Sequence, residues 1–250
     1  MNDHLVMISG KSATGKSASL RGLAFDKNDK PLPEEQQSKV MYLNTESGKK
    51  LPFPNKFEKH VIIDPLQVFE AFDHALANPN KYSSIIIDSQ TFLMEQYESQ
   101  YVLAVTDTMK GWSNFQQYFK KLMQHYVAQV PQQVAFTAHT MDVLNESEMA
   151  IETKIPVKGA LKNNGIESYF SVVISTKRMP LNKLKGYEND LLVITEEEEI
   201  DQFKYVYQTR LTKETVNERI RSPMGMWSRA ETFIDNNLAL VFDRLNDYYN

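Results

Sequence analysis

The residues with the plainest chemistry lie in Gly10–Ser17, GKSATGKS, between the apolar run LVMIS and a helical stretch. They fit the pattern G-x-x-x-x-G-K-[ST], whose glycines let successive backbone N–H groups turn toward phosphate oxygens. A helix N-terminus directly after such a loop favours negative charge. The pattern therefore assigns Gly10, Lys11, Ser12, Ala13, Thr14, Gly15, Lys16, Ser17 and Ala18 to a bound nucleotide. Lys16 would reach the β- and γ-phosphates of ATP, and the Ser17 hydroxyl would hold Mg²⁺. The bland alternative is a chance Gly-Lys turn.

Three more chemical groups stand where apolar runs end. SIIIDSQ places Asp88 after a buried strand, suited to the water shell of the Mg²⁺; capping the next helix is the other common use of Asp there. YLNTESG places Glu46 at the carboxyl edge of the second strand, where a carboxylate can orient and deprotonate an attacking water. A surface Glu in a turn before Gly48 is its alternative. VAFTAHT ends in His139, either a donor that senses the γ-phosphate or a satisfied core histidine. The five histidines show no paired ligand spacing, which argues against zinc.

Positioning these groups takes strands that alternate with helices. LVMIS (5–9), VMYLN (40–44), VIID (61–64), SIIID (84–88), VAFTA (134–138), SVVIST (171–176), LLVIT (191–195) and YVYQTRL (205–211) read as strands. Several are apolar throughout, as expected where both faces of a parallel sheet are covered. Trp112, Phe115, Phe119, Leu122 and Tyr126 step along one face of a helix, and Ile234, Leu238, Val241, Leu245 and Tyr248 repeat that spacing. The expectation is a doubly wound α/β domain with ligands at the carboxyl ends of the strands, and an antiparallel hairpin extension after about residue 185. EEEE at 196–199 reads as a solvated loop, and the chain as one domain of residues 1–250.

Composition narrows the function classes. The 250 residues are 42% hydrophobic, enough for a sizeable core. The absence of cysteine excludes disulfides and thiolate metal sites and fits a reducing cytoplasm. No apolar run approaches the roughly 20 residues of a membrane span, and there is no signal-peptide pattern. A net charge of -4 argues against a wholesale nucleic-acid coat but permits a local basic patch. Between Lys154 and Lys185 seven positive residues face one acid, Glu167.

The order of the four chemical elements resembles the RecA-type ATPase core. The marks are Glu46 after the second strand, Asp88 and Ser89 after the Walker B strand, and a polar sensor ending the next strand. His139 departs from the Gln usual at that sensor. GALK (Gly159–Lys162), followed by an aromatic and SVVIS, is similar to the family's second DNA-binding loop and its following strand. The small size and TRLTKETVNERIRSPMGMW look most like compact bacteriophage RecA-like proteins linked to single-strand annealing and recombination.

The resemblance implies a doubly wound RecA-like P-loop NTPase core, ATP and Mg²⁺ as cofactors, single-stranded DNA as partner, and further replication or recombination proteins. It also implies a homo-oligomer with the ATP site at the subunit interface, completed in trans by basic residues. Among Arg210, Lys213, Arg219 and Arg221, the rough correspondence selects Arg210 and Lys213 as the trans catalytic pair. A solvated face shared with Glu214 and Glu218 is the alternative. Only four residues precede the first strand, so the N-terminal arm linking protomers of larger recombinases is expected to be absent.

VKGALKNNGIESYF (157–170) then gains a candidate role. Lys154, Lys158 and Lys162 can meet DNA phosphates, and Asn163 and Asn164 sugar or base edges. Tyr169 and Phe170 read as core anchors, with base stacking as the alternative. VTDTMKGW is either a second DNA-facing loop or an ordinary connection with Trp112 in the core. Three functions follow: a DNA-dependent ATPase promoting annealing or strand exchange, a P-loop kinase for a small molecule or nucleotide, and a nucleotide-gated module that loads replication proteins.

Overall fold

The computed structural model describes residues 2–159, 161 and 165–249. Ten strands are present among them: β1 (Leu5–Gly10), β2 (Val40–Asn44), β3 (Glu58–Val61), β4 (Ser84–Asp88), β5 (Gln133–His139), β6 (Met141–Asn145), β7 (Ala150–Lys154), β8 (Val172–Pro180), β9 (Phe203–Gln208) and β10 (Phe233–Asp235). Eight form one sheet in the order β10-β9-β8-β1-β5-β4-β2-β3. The six from β8 to β3 are parallel, and β9 and β10 extend the sheet antiparallel. The remaining pair, β6 and β7, is a separate antiparallel hairpin.

Alternation along each central strand sends successive side chains to opposite faces. Met7, Met41, Leu43, Ile85, Ile87, Val134 and Phe136 enter one core, while Val6, Ile8, Val40, Tyr42, Ile86 and Ala135 enter the other. This two-sided burial is why the strands are apolar throughout. The first core is roofed by helices α2 (Gln67–Ala77), α3 (Gln90–Tyr97) and α4 (Thr108–Lys121), which follow the short α1 (Glu34–Gln37) in the chain. Asp107 caps α4 by accepting the Lys110 N–H at 3.0 Å, and Phe115, Phe119, Leu122 and Tyr126 are buried on the expected stripe.

The second core is covered differently. The helical run after the phosphate loop is only a six-residue 3₁₀ helix, Ala18–Leu23, whose Leu20 is fully buried. Leu51, Phe53 and Phe57 from an irregular segment join it, as do Met226 and Trp227, and the one long helix on this face is the C-terminal Leu238–Tyr249. Leu238, Val241, Phe242 and Leu245 of that helix are buried. The fold is thus a doubly wound α/β P-loop NTPase fold; its antiparallel extension lies after residue 185 as expected, but is formed by β9 and β10 rather than by a hairpin that includes LLVIT.

Several local expectations fail for identifiable reasons. LLVIT is not a strand: Leu192 and Ile194 pack beside Leu184, Val206 and Phe233, while Leu191 joins the second core. EEEE is not a loop but the first turn of a helix, Glu196–Asp201, which follows Leu181–Leu184. Thr195 and Glu198 form a capping box there, and the glutamates face the positive end of the helix dipole. The strand expected at 61–64 ends at Val61, and Ile234 belongs to β10 rather than to the final helix. The β6–β7 hairpin was not anticipated. With the short helices counted, Leu181–Leu184 is α5, Glu196–Asp201 is α6 and Leu238–Tyr249 is α7.

Phe72 of α2 is fully buried in the first core. Phe72→Ala should lower stability by about 3–5 kcal/mol, because a large cavity adds to the lost transfer energy. Urea unfolding with an unchanged slope would check this.

Candidate nucleotide-binding site

Parallel pairing brings the chemical groups to one edge. Gly10 lies opposite His139 in the β1–β5 register, and Asn44 opposite Asp88 in the β2–β4 register. Glu46 follows two residues after β2. The phosphate loop between β1 and the 3₁₀ helix puts Ala13 (φ 60) and Gly15 (φ 95) in the left-handed region. Such reversals turn consecutive N–H groups inward as an anion-binding concavity.

The Lys16 ammonium occupies the centre of this loop. Its Nζ donates to the carbonyls of Gly10 at 2.9 Å and Lys11 at 2.7 Å. Burial drives its pKa down to about 8, opposed by the negative charges of Asp88 and Glu46. Asp88 is 3% exposed. It accepts from Tyr42 Oη at 2.8 Å and from the Thr137 hydroxyl on its other oxygen. Burial first, and the Asp88 charge second, push the Tyr42 phenol far above its usual range, so it remains a donor.

Glu46 lies between two basic side chains. Lys49 Nζ is 3.2 Å from its Oε2, and His139 Nε2 is 4.0 Å from its Oε1. Burial and then the nearby Lys16 charge lower the His139 pKa, leaving the imidazole neutral at neutral pH. Its backbone N–H donates to Thr91 Oγ1 at 2.9 Å, and Phe92 meets the ring edge-on. A cavity of about 200 Å³ is bordered by Ser17, Tyr42, Glu46, Lys49 and Asp88. Ser17 heads the 3₁₀ helix without using its side chain as a cap. One free hydroxyl and one carboxylate suit Mg²⁺, which keeps most of its waters and takes phosphate oxygens. Among the described residues no cluster of three or more His, Asp or Glu offers an all-protein metal site.

Two larger cavities flank the loop. One of about 600 Å³ is bounded by Lys11, Thr14, Asp142, Thr176 and Lys177. The other, about 950 Å³, lies beside Gly15, Ala18, Arg21, Tyr205 and Asn236.

Of the expected DNA-facing residues, Lys154 and Lys158 sit along the continuation of β5. Thr140 N–H donates to the Gly10 carbonyl at 3.1 Å and leads into the β6–β7 hairpin. Lys11 Nζ meets Asp142 Oδ2 of that hairpin at 2.6 Å, and Asp142 Oδ1 accepts from Thr153 at 2.8 Å. Lys154 ends β7, 3.5 Å from Glu152. Lys158 holds both oxygens of Glu98, at 2.7 and 2.8 Å. A Cβ on Gly159 would stand 3.1 Å from the Trp112 ring, so the segment around Trp112 adjoins this loop. Lys162, Asn163 and Asn164 lie outside the described residues. Tyr169 and Phe170 are core anchors, edge-on to Phe119 and Phe136.

The basic run is less charged in space than along the chain. Besides Lys154 and Lys158, Lys177 pairs with Glu218 and Lys183 with Glu214. Arg210 donates to the Trp227 carbonyl at 2.8 Å, and Lys213 is exposed. Among the described residues neither shares a hydrogen bond or ion pair with Lys16, Glu46 or Asp88. Arg219 stands 3.9 Å from both Glu152 and Glu167.

Tyr42, Lys49, Thr137 and Thr176 escaped the sequence reading. Thr137 carried a signal, being a hydroxyl inside an apolar strand two residues before His139 and hence on the same face. Thr176 Oγ1 and Thr14 Oγ1 share a 2.6 Å hydrogen bond that braces the loop from β8. A family model described as an AAA domain matches residues 3–216. No curated protein matches the chain.

Two outcomes follow from this geometry. Glu46→Gln keeps shape but loses the base, so ATP should still bind while hydrolysis falls roughly 10²-fold, whereas Lys16→Ala should weaken both. The free loop's lysine loses its proton above pH about 8. Binding phosphate then requires proton uptake, so ATP affinity should fall above that pH, approaching about tenfold per unit. Titration calorimetry from neutral to alkaline pH, with Lys16→Ala as the flat control, reads this directly.

Proposed function

The chain belongs to the AAA domain family of nucleotide-binding ATPases, and from that premise we propose that it hydrolyses ATP in response to single-stranded DNA. In this proposal it is a compact ATPase of the RecA type, acting in annealing or strand exchange as a homo-oligomer. One observation carries it: His139, 4.0 Å from Glu46, is one residue from a hairpin that leads directly to the lysine-bearing loop. A change at the γ-phosphate therefore has a short covalent route to the DNA-facing segment. The Lys11–Asp142 ion pair is a second tie between the same two parts.

In the hydrolytic step Glu46 accepts the proton of the attacking water, with Lys49 on its carboxylate and His139 close by. Lys16 and the loop N–H groups take the phosphates, with Ser17 and Asp88 on the metal. Bound Mg²⁺ supplies charge neutralisation on the phosphates. Arg210 and Lys213 are exposed, which suits completion of a neighbouring subunit's site. The interaction-module alternative has one observation in its favour. The hairpin exposes Leu144 (60%), Ile151 (61%) and Met149 (85%), an apolar surface unusual for a phosphate-binding element.

Hydrolysis measured with and without single-stranded DNA separates the alternatives. Stimulation by DNA supports the proposal; turnover that requires a small acceptor supports a kinase; nucleotide-dependent partner binding without turnover supports a loading module. Lys158 must leave Glu98 to meet a phosphate, so Glu98→Gln should tighten DNA binding. Lys158→Ala with Lys162→Ala should lower the slope of log affinity against log salt by about 1.4, if both touch phosphates. An unchanged slope in a folded double variant would place the DNA site elsewhere.

A further inference from the structure

The Gly15 carbonyl accepts two hydrogen bonds. One comes from the Ser19 N–H at 2.9 Å, an i→i−4 bond that leads into the 3₁₀ helix. The other comes from Asn236 Nδ2, also at 2.9 Å, across 221 residues of sequence. Asn236 lies in the turn between β10 and α7, past residue 216, where the family match ends.

The same turn explains two glycines. A Cβ on Gly15 would come 2.6 Å from Asn236 Nδ2, and one on Gly22 would come 1.8 Å from Asn237 Oδ1. A side chain at either position would have to displace the asparagine side chain it meets. The orientation of the Asn236 amide is fixed by chemistry, since its oxygen against the Gly15 oxygen would repel. That choice leaves Asn236 Oδ1 buried with no hydrogen-bond partner among the described residues.

The consequence lies in the peptide that Gly15 shares with Lys16. A trans peptide is planar, with its C=O and N–H pointing in opposite directions. Drawing the Gly15 oxygen toward the 3₁₀ turn and Asn236 aims the Lys16 N–H the other way, toward the phosphate concavity. A six-residue 3₁₀ helix is a weak anchor by itself, because its hydrogen-bond geometry is poor. Thr176 braces the preceding residue, Thr14, from β8. Asn236 braces Gly15 from the other side.

We propose that Asn236 is a positioning residue of the nucleotide site, holding the Gly15–Lys16 peptide so that the Lys16 N–H faces bound phosphate. The C-terminal segment from β10 onward is thereby part of the nucleotide-binding machinery. The inference rests on nucleotide binding at this loop and is independent of DNA.

The test compares wild type, Asn236→Ala and the isosteric Asn236→Asp. Melting temperatures are measured with and without ATP and Mg²⁺, alongside KM and kcat for ATP. Asn236→Ala should melt near wild type without nucleotide yet show a smaller ATP-induced rise. Its KM should increase about tenfold with kcat nearly kept, the loss of roughly one well-placed hydrogen bond. Asn236→Asp should bind ATP more weakly still, since it swaps the donor for a negative charge facing a carbonyl and the phosphates. Should Asn236→Ala fail to fold, the isosteric variant carries the same comparison. A full ATP-induced rise and wild-type KM in either folded variant would overturn the inference. No ATP-induced rise in wild type would instead overturn nucleotide binding itself, and the inference with it.

Discussion

A buried ammonium cannot stand alone in a protein interior, and Lys16 is the charge around which this site is built. Two carbonyls of its own loop satisfy it, and the carboxylates of Asp88 and Glu46 offset part of its desolvation. Those carboxylates come from the ends of β4 and β2, neither adjacent to β1 in the sheet. Only a parallel sheet presents the carboxyl ends of β1, β2, β4 and β5 on one edge. The requirement to surround one cation therefore selects the strand directions, and two-sided burial of the strands then demands helices on both faces. Nucleotide phosphate can take the place of the two carbonyls as partner to Lys16, so binding exchanges internal hydrogen bonds for charge-assisted ones.

The neutral imidazole of His139 belongs to the same electrostatic account. A cation beside Lys16 would be repelled, and burial disfavours it further. The neutral ring can thus turn a donor toward the Glu46 carboxylate in one tautomer or an acceptor toward another group's N–H or O–H in the other, a choice that a permanently charged side chain lacks. Because β5 continues almost at once into the hairpin, the backbone after His139 leads within three residues to Asp142, the partner of Lys11. The phosphate loop and the hairpin thus touch twice, at the Thr140–Gly10 hydrogen bond and at the Lys11–Asp142 pair.

Legibility in the sequence followed the range of the interaction. The phosphate loop is a contiguous motif, and Asp88, Glu46 and His139 each end a recognisable apolar run, so their convergence could be read from strand direction alone. The helix at Glu196 was also legible, because Thr195 and Glu198 stand at capping-box spacing; the acidic run obscured it. LLVIT misled because an apolar run is equally consistent with residues divided between two cores. The positive balance of residues 154–185 was true along the chain and misleading in space, since Glu98, Glu152, Glu214 and Glu218 arrive from outside that segment. Asn236 had no local signal of any kind.

The C-terminal helix resolves a tension created at the other end of the chain. A 3₁₀ helix of six residues after the phosphate loop leaves much of the second sheet face bare, where Val6, Ile8, Ile86 and Ala135 need cover. The antiparallel strands β9 and β10 extend the sheet beyond β8, and the turn after β10 brings the chain back so that α7 lies over that face. Leu20 and Ala24 beside the phosphate loop share their core with Leu238, Val241 and Leu245 of α7. Apolar burial by α7 and orientation of the Gly15 peptide by the turn before it thus arise from one docking event. Undocking α7 would uncover this core and, on the proposed role of Asn236, remove the brace on the Gly15 peptide at the same time.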